Sequence, residues 1–173
     1  MAQIAEDARA KAGKDVLPKK MDVRLGPAAY GIVGIPQPNK IHPENLVDAQ
    51  FSNYYQLAVA WLFGAGIGFS AYNEDKFSDA RLRTLCDRIT CIKDEDCPVW
   101  GTILDIEMED GTRVHKEMAH PIGEEEHPFS SEQVRGKFRS LVGQVYDGSR
   151  MEDIISAVDG IERASIADLM KFL

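Results

Sequence analysis

From Ala49 to Asn73 the chain carries no charged residue, and Asp48 and Glu74 bracket the gap. A stretch of that length can fold in few ways. It is long enough to cross a bilayer, but Gln50, Ser52, Asn53, Tyr54, Tyr55 and Gln56 crowd its front end and Gly64, Gly66 and Gly68 interrupt its back. No positive cluster flanks it to set an orientation. The stretch therefore reads as a buried helix from Asp48, as cap, to about Phe63, ended by the glycines. Phe51, Tyr55, Ala58 and Leu62 fall on one stripe, and Tyr54, Leu57 and Trp61 on another, so the helix is apolar on nearly every side. Its polar front must then meet partners, because a buried polar group left unpaired costs roughly 1–3 kcal/mol. Those partners are either backbone carbonyls of the core or a ligand.

The rest of the chain sets the context. The sequence has 173 residues, 44% apolar and 28% charged, as expected of a globular protein of one compact domain, or of one domain plus a helical appendage. The net charge of −8 excludes a phosphate-binding surface of the nucleic-acid type. Cys86, Cys91 and Cys97 form no C-x-x-C and no zinc spacing; they read as reduced thiols in a cytoplasmic protein. The first residues lack the apolar core of a signal peptide.

Residues 3–13 read as a short amphipathic helix, 20–26 as a strand, and 26–45, rich in Gly and Pro, as loop. Ser78 is expected to cap a second helix, "SDARLRTLCDRI", and "ITCIKD" to form a short strand. Around Asp110-Gly111 the chain reads as a hairpin. A two-residue turn would set Ile106 opposite His115 and mix the faces. A three-residue loop, Glu109-Asp110-Gly111 with Gly111 left-handed, pairs Ile106 with Val114, Thr102 with Met118, Glu107 with Arg113 and Asp105 with His115. The last third is helical. Ser130 and Gln133 form a capping box for a helix to about Val145, Ser149 and Glu152 a second, and Ser165 and Asp168 open a terminal helix. The order β-α-α-β-β-β-α-α-α implies an α+β fold: a small antiparallel sheet with helices on one face, then a helical C-terminal tail.

Other motifs carry little chemistry. "GAGIG" (64–68) follows a helix, whereas a phosphate loop follows a strand and opens a helix; a C-cap and turn is expected. "HPIGEEEHP" (120–128) gathers His120, Glu124, Glu125, Glu126 and His127, yet its prolines and glycine fix no coordination geometry, so a solvated connection and no metal is expected.

"VDAQFSNYYQLAVAWL", with its glycine turn, resembles the small-domain helix of the 2-methylcitrate dehydratase (MmgE/PrpD) family. "MDVRLGPAAYGIVG" resembles the strand and loop before that helix, and "EMEDGTRVHKEMAHPIGEEEHPFSSEQVRGKF" its Asp-Gly hairpin and the segment after it. The resemblance spans about residues 20–145. It implies a linker at 1–19, the small α+β domain at 20–128, and at 129–173 helices like those that pack on the family's large helical domain. It implies a cofactor-independent lyase of small polycarboxylates, of the type that eliminates water from 2-methylcitrate; isomerase or decarboxylase chemistry is the alternative within the family. Tyr55 matches the family's helix tyrosine and is the candidate catalytic residue, with Ser52 and Gln50 as substrate-binding candidates. No cofactor or metal is implied. The family's main catalytic base has no match in the sequence, so the chain is expected to be silent alone. Val134, Phe138, Leu141 and Val145, and Ile154, Ile155, Val158 and Ile161, form apolar stripes that would drive homo-oligomerisation or hold a partner chain. A non-catalytic interaction module is thus the second expectation, with a small polycarboxylate, not nucleic acid or membrane, as the ligand of the first.

Overall fold

The computed structural model describes residues 5, 6, 9, 10, 16–163 and 165–171. Of the helix expected at 3–13, only four residues lie among them, and these are helical. The chain divides into two compact units, Met1–His127 and Pro128–Leu173.

The first unit is built on four strands: β1 (Pro18–Leu25), β2 (Ile89–Lys93), β3 (Thr102–Met108) and β4 (Arg113–Met118), in the order β2-β1-β3-β4. The fold is α+β, but the sheet is mixed rather than all antiparallel. β1 pairs antiparallel with β3 and parallel with β2, with Met21 opposite Ile89 and Leu25 opposite Lys93. The physical reason is the connection: the chain leaves β1, passes through the helices of 27–87 and returns in the same direction, as a parallel pair requires.

The hairpin takes the three-residue loop. Ile106 faces Val114, Thr102 faces Met118, and Gly111 sits at φ 83°. His115 Nδ1 lies 2.6 Å from Asp105 Oδ1 and Arg113 reaches Glu107 at 3.7 Å, so the cross-strand charges meet as the register demands.

The uncharged segment forms two helices, not one. Asn45, rather than Asp48, caps α1 (Leu46–Gln50), its side chain accepting from the Asp48 N–H. The chain then breaks at Phe51, and Ser52 caps α2 (Asn53–Phe63), accepting from the Tyr55 N–H at 3.0 Å. Gly64 ends α2 at φ 92°, a conformation that a side chain would strain. The third helix, α3 (Ala80–Asp87), is capped by Asp79 and not by Ser78. Residues 26–45 are short helical turns rather than open loop: Pro27–Ala29, the π-type turn Tyr30–Gly34, and Pro38–Ile41.

The core lies between one face of the sheet and α2 and α3. Met21, Val23 and Leu25 of β1 and Leu104 and Ile106 of β3 are buried against Tyr55, Leu57 and Trp61, with Leu82 and Leu85 alongside. No helix among the described residues is long and apolar enough to cross a membrane.

The second unit is a helical hairpin, α4 (Ser131–Val142) and α5 (Gly148–Asp159), followed by α6 (Ile166–Leu169). Ser130 with Gln133 forms the expected capping box, and Ser165 with Asp168, expected to open the terminal helix, forms one as well. The cap of α5 is Asp147, not Ser149, and Glu152 serves elsewhere: it takes a two-pronged bond from Arg139, at 2.6 and 3.1 Å, which ties α5 to α4.

Candidate functional site

The polar front of α2 meets protein groups. The Tyr54 hydroxyl donates to Gly34 O at 2.9 Å and the Tyr55 hydroxyl to Ala71 O at 2.5 Å. Tyr55 has no exposed surface. Of the two kinds of partner open to it, the phenol takes a core carbonyl: capping by Ser52 turns the first residues of α2 inward, and Ala71, on the 3₁₀ turn Gly68–Tyr72, closes over the hydroxyl. Burial above all, with Cys86, Tyr72 and Asp79 nearby, pushes the Tyr55 phenol above the ordinary tyrosine range. It holds its proton, so it can donate a hydrogen bond or a proton but cannot act as a base.

Ser52 is likewise buried and fully occupied. Its hydroxyl accepts from the Tyr55 N–H and donates to Lys40 O, so it fixes the start of α2. Gln50 is exposed at the end of α1. The three candidates thus share one segment, but the structure does not bring their side chains into one solvent-facing cluster.

It brings others together. Behind Tyr55 lies a hollow of about 160 Å³ whose lining includes Gln56, Gly64, Ala65, Gly68, Ala71 and Tyr72. Gln56 Nε2 donates to Ala49 O at 3.0 Å and to the Tyr72 hydroxyl, also at 3.0 Å. The Tyr72 ring stacks near Tyr55, with centroids 6.5 Å apart, and Phe77 packs on Tyr55 at 5.6 Å. At the glycine turn the Ala65 N–H donates to Glu6 Oε2 at 3.3 Å. Reading the sequence singled out Gln56 only as one polar residue of six and missed Tyr72 and Glu6. The signal for Tyr72 was its place at the end of the uncharged stretch; for Glu6 there was none, because its contact is 59 residues away.

Three further features stand apart from this hollow. The solvent face of the sheet carries a wider depression of about 450 Å³, floored by Asp22, Asp105 and Glu107 and rimmed by Lys20, Arg24 and Arg113. Its charges pair with one another, as Arg24 does with Asp105 at 3.0 Å. On the 120–127 turn, one ligand atom each from His120, Glu124 and Glu126 lie within 4.8 Å of one another, all on exposed or half-exposed side chains. In the second unit an apolar groove of about 320 Å³ runs between α4 and α5, lined by Phe129, Val134, Phe138, Ile154, Ile155 and Val158.

Residues 2–162 match the model of the MmgE/PrpD C-terminal domain. The chain belongs to the MmgE/PrpD family. It is also similar to a cis-aconitate decarboxylase of Aspergillus terreus, at 29% identity over 139 aligned positions, a match that covers 76% of this chain. The match covers 28% of that relative's own length, so the chain spans under a third of it. Within this MmgE/PrpD domain, the helix with Tyr55 and the hollow behind it lie inside the matched region.

Proposed function

We propose that the chain supplies the C-terminal domain of a cofactor-independent enzyme that eliminates a small group from a small polycarboxylate, cis-aconitate or a 2-methylcitrate-like hydroxy acid. The family match over residues 2–162 carries this reading. Both reactions need the same final service. Decarboxylation breaks a C–C bond, releases CO₂ and leaves an electron pair on carbon that takes up a proton. Dehydration removes a proton beside a carboxylate and delivers one to the departing hydroxide. Each step calls for a donor that keeps its proton at neutral pH, and Tyr55 is such a group. Its hydroxyl reaches a substrate only if the Gly68–Tyr72 turn gives up the bond to Ala71 O. In this reading Ser52 is a positioning residue that fixes the start of α2, and Gln50 binds substrate from its exposed position in an assembled site.

The test is turnover. The purified chain, incubated with cis-aconitate and with 2-methylcitrate, is expected to give neither CO₂ release nor new enoate absorbance. Turnover is expected when the segment is joined to, or mixed with, a large helical domain of the family. Turnover by the 173-residue chain alone would show that the domain needs no such completion and would sink the reading.

A second reading, a non-catalytic module that self-associates, is favoured by the apolar groove of the tail unit. Val134, Val158 and Ile161 of that unit are 55%, 49% and 41% exposed, and clustered exposed apolar side chains mark an interaction face. Sedimentation velocity should then show a dimer or larger species that Phe138→Glu converts to monomer. A monomer in the wild type removes this reading.

A further inference from the structure

The sheet ends in an open edge. In the order β2-β1-β3-β4, strand β4 has a neighbour on one side only. The register tells which of its backbone groups that neighbour uses. At the hairpin the Met108 N–H donates to Thr112 O at 2.8 Å, so the rungs Ile106–Val114, Leu104–Lys116 and Thr102–Met118 are the hydrogen-bonded pairs. The alternate residues, Arg113, His115 and Glu117, turn their N–H and C=O groups outward, and no described residue bonds to them. The opposite edge strand, β2, is shorter and lies beside the Tyr30–Gly34 turn. Charged side chains commonly shield an exposed edge from pairing, but on β4 they do so only in some registers. Arg113, His115 and Glu117 are exposed and share the solvent face of the sheet. Arg113 reaches Glu107 at no closer than 3.7 Å, and Glu117 makes no ion pair with a described residue. In an antiparallel pairing with a second copy, a two-fold axis at His115 sets Arg113 opposite Glu117 of that copy, twice. An axis at Lys116 would set two lysines face to face, and one at Val114 would set Arg113 against His115, so a single register joins opposite charges.

We propose that β4 is a dimerisation edge: two copies of the chain join their sheets antiparallel along β4, with His115 on the two-fold axis, into one continuous sheet. The outward groups of Arg113, His115 and Glu117 then exchange about six backbone hydrogen bonds with those of the second copy. Each His115 ring stays with Asp105 of its own chain, 2.6 Å from Oδ1, so the two imidazoles meet with a carboxylate beside each. An edge of six residues buries less surface than a standard interface, and association in the micromolar to millimolar range is expected. The contact lies in the first unit, so it is independent of the tail groove and of whether the chain works in a catalytic assembly.

The experiment uses the full chain, as wild type and as Phe138→Glu, in which the tail groove carries a charge and contacts through it are opened. Sedimentation velocity of Phe138→Glu from micromolar to millimolar chain should show a concentration-dependent dimer. In both forms, amide hydrogen exchange at Arg113, His115 and Glu117 should slow as concentration rises, whereas the Val114, Lys116 and Met118 amides, held by β3, should be protected throughout. Glu117→Arg sets two arginines against each other on both outer rungs and should raise the dissociation constant about tenfold or more. Arg113→Glu combined with Glu117→Arg exchanges the signs and should restore pairing, a rescue that damage to the fold would not produce. Three outcomes overturn the inference: a Phe138→Glu chain that stays monomeric at millimolar concentration, exchange at the three outward amides that is independent of concentration, or a double variant that pairs as weakly as Glu117→Arg. None of these bears on the proposed function, which turnover judges.

Discussion

Truncating Tyr55 to alanine should destabilise the first unit by roughly 3–5 kcal/mol, the usual cost of emptying a large aromatic site in a core. The side chain has no exposed surface, packs on Phe77, and closes its hydroxyl on Ala71 O. Tyr55→Phe isolates the hydroxyl. The ring and its contacts stay, but the Ala71 carbonyl loses its buried partner, which should cost about 1–3 kcal/mol. Chemical denaturation followed by circular dichroism measures both. The pair also separates two roles for the residue. If Tyr55 were a surface donor, the Phe variant would unfold at the same denaturant concentration as the wild type, and only a functional assay would register the change. A Phe variant of unaltered stability would therefore refute the buried hydrogen bond, and with it the account of why Ala71 and Tyr72 sit where they do.

The features legible in the sequence were those decided by neighbours. The hairpin register followed from two facts within a few residues of the turn: Gly111 permits a left-handed conformation, and only one register keeps Ile106 and Val114 on the buried side. The capping boxes at Ser130 and Ser165 are equally local. Where two good caps stand close together, the choice is not local. Asp79 outcompetes Ser78, and Asp147 outcompetes Ser149, because the cap is whichever residue the incoming chain holds in an extended conformation; Asp147 sits at φ −72°, ψ 169°. Ser52 is the instructive case. Its hydroxyl reads as a polar group in search of a partner, whereas its partner is the N–H three residues on, and that bond breaks the expected long helix in two.

Sheet order and the hollow were not legible, for a common reason. The parallel β1–β2 pair joins Met21 to Ile89, and the carboxylate at the glycine turn joins Glu6 to Ala65. Neither contact leaves a periodicity or motif in the chain. The family resemblance supplied the family and the class of fold, and singled out Tyr55 as a candidate, but it could not say that the phenol faces inward. That depended on the 3₁₀ turn Gly68–Tyr72, a segment whose glycines looked like a simple stop.

The same burial makes the fold vulnerable at alkaline pH. Cys86 is 1% exposed, and burial, then the neighbouring Asp87, push its thiol up to about 12 from an ordinary 9.0. Cys91 is raised by burial, and so are the Tyr54 and Tyr55 phenols. In each case the folded chain keeps a proton that the unfolded chain releases. Below pH 9 both states hold the Cys86 proton and its contribution is complete. Between pH 9 and 12 the unfolded state alone loses it, so stability falls by about 1.4 kcal/mol per pH unit, or about 4 kcal/mol over the window for this one thiol. The tyrosines add to the slope above pH 10. Urea unfolding at intervals from pH 7 to 11 should give a flat midpoint to about pH 9 and a steep decline beyond it. Cys86→Ala should start lower, from lost packing, yet decline less steeply, because it removes the titrating group and leaves the rest. A wild-type midpoint unchanged at pH 11, or a Cys86→Ala profile parallel to it, would mean that the thiol is not sealed in the core beneath α2 as described.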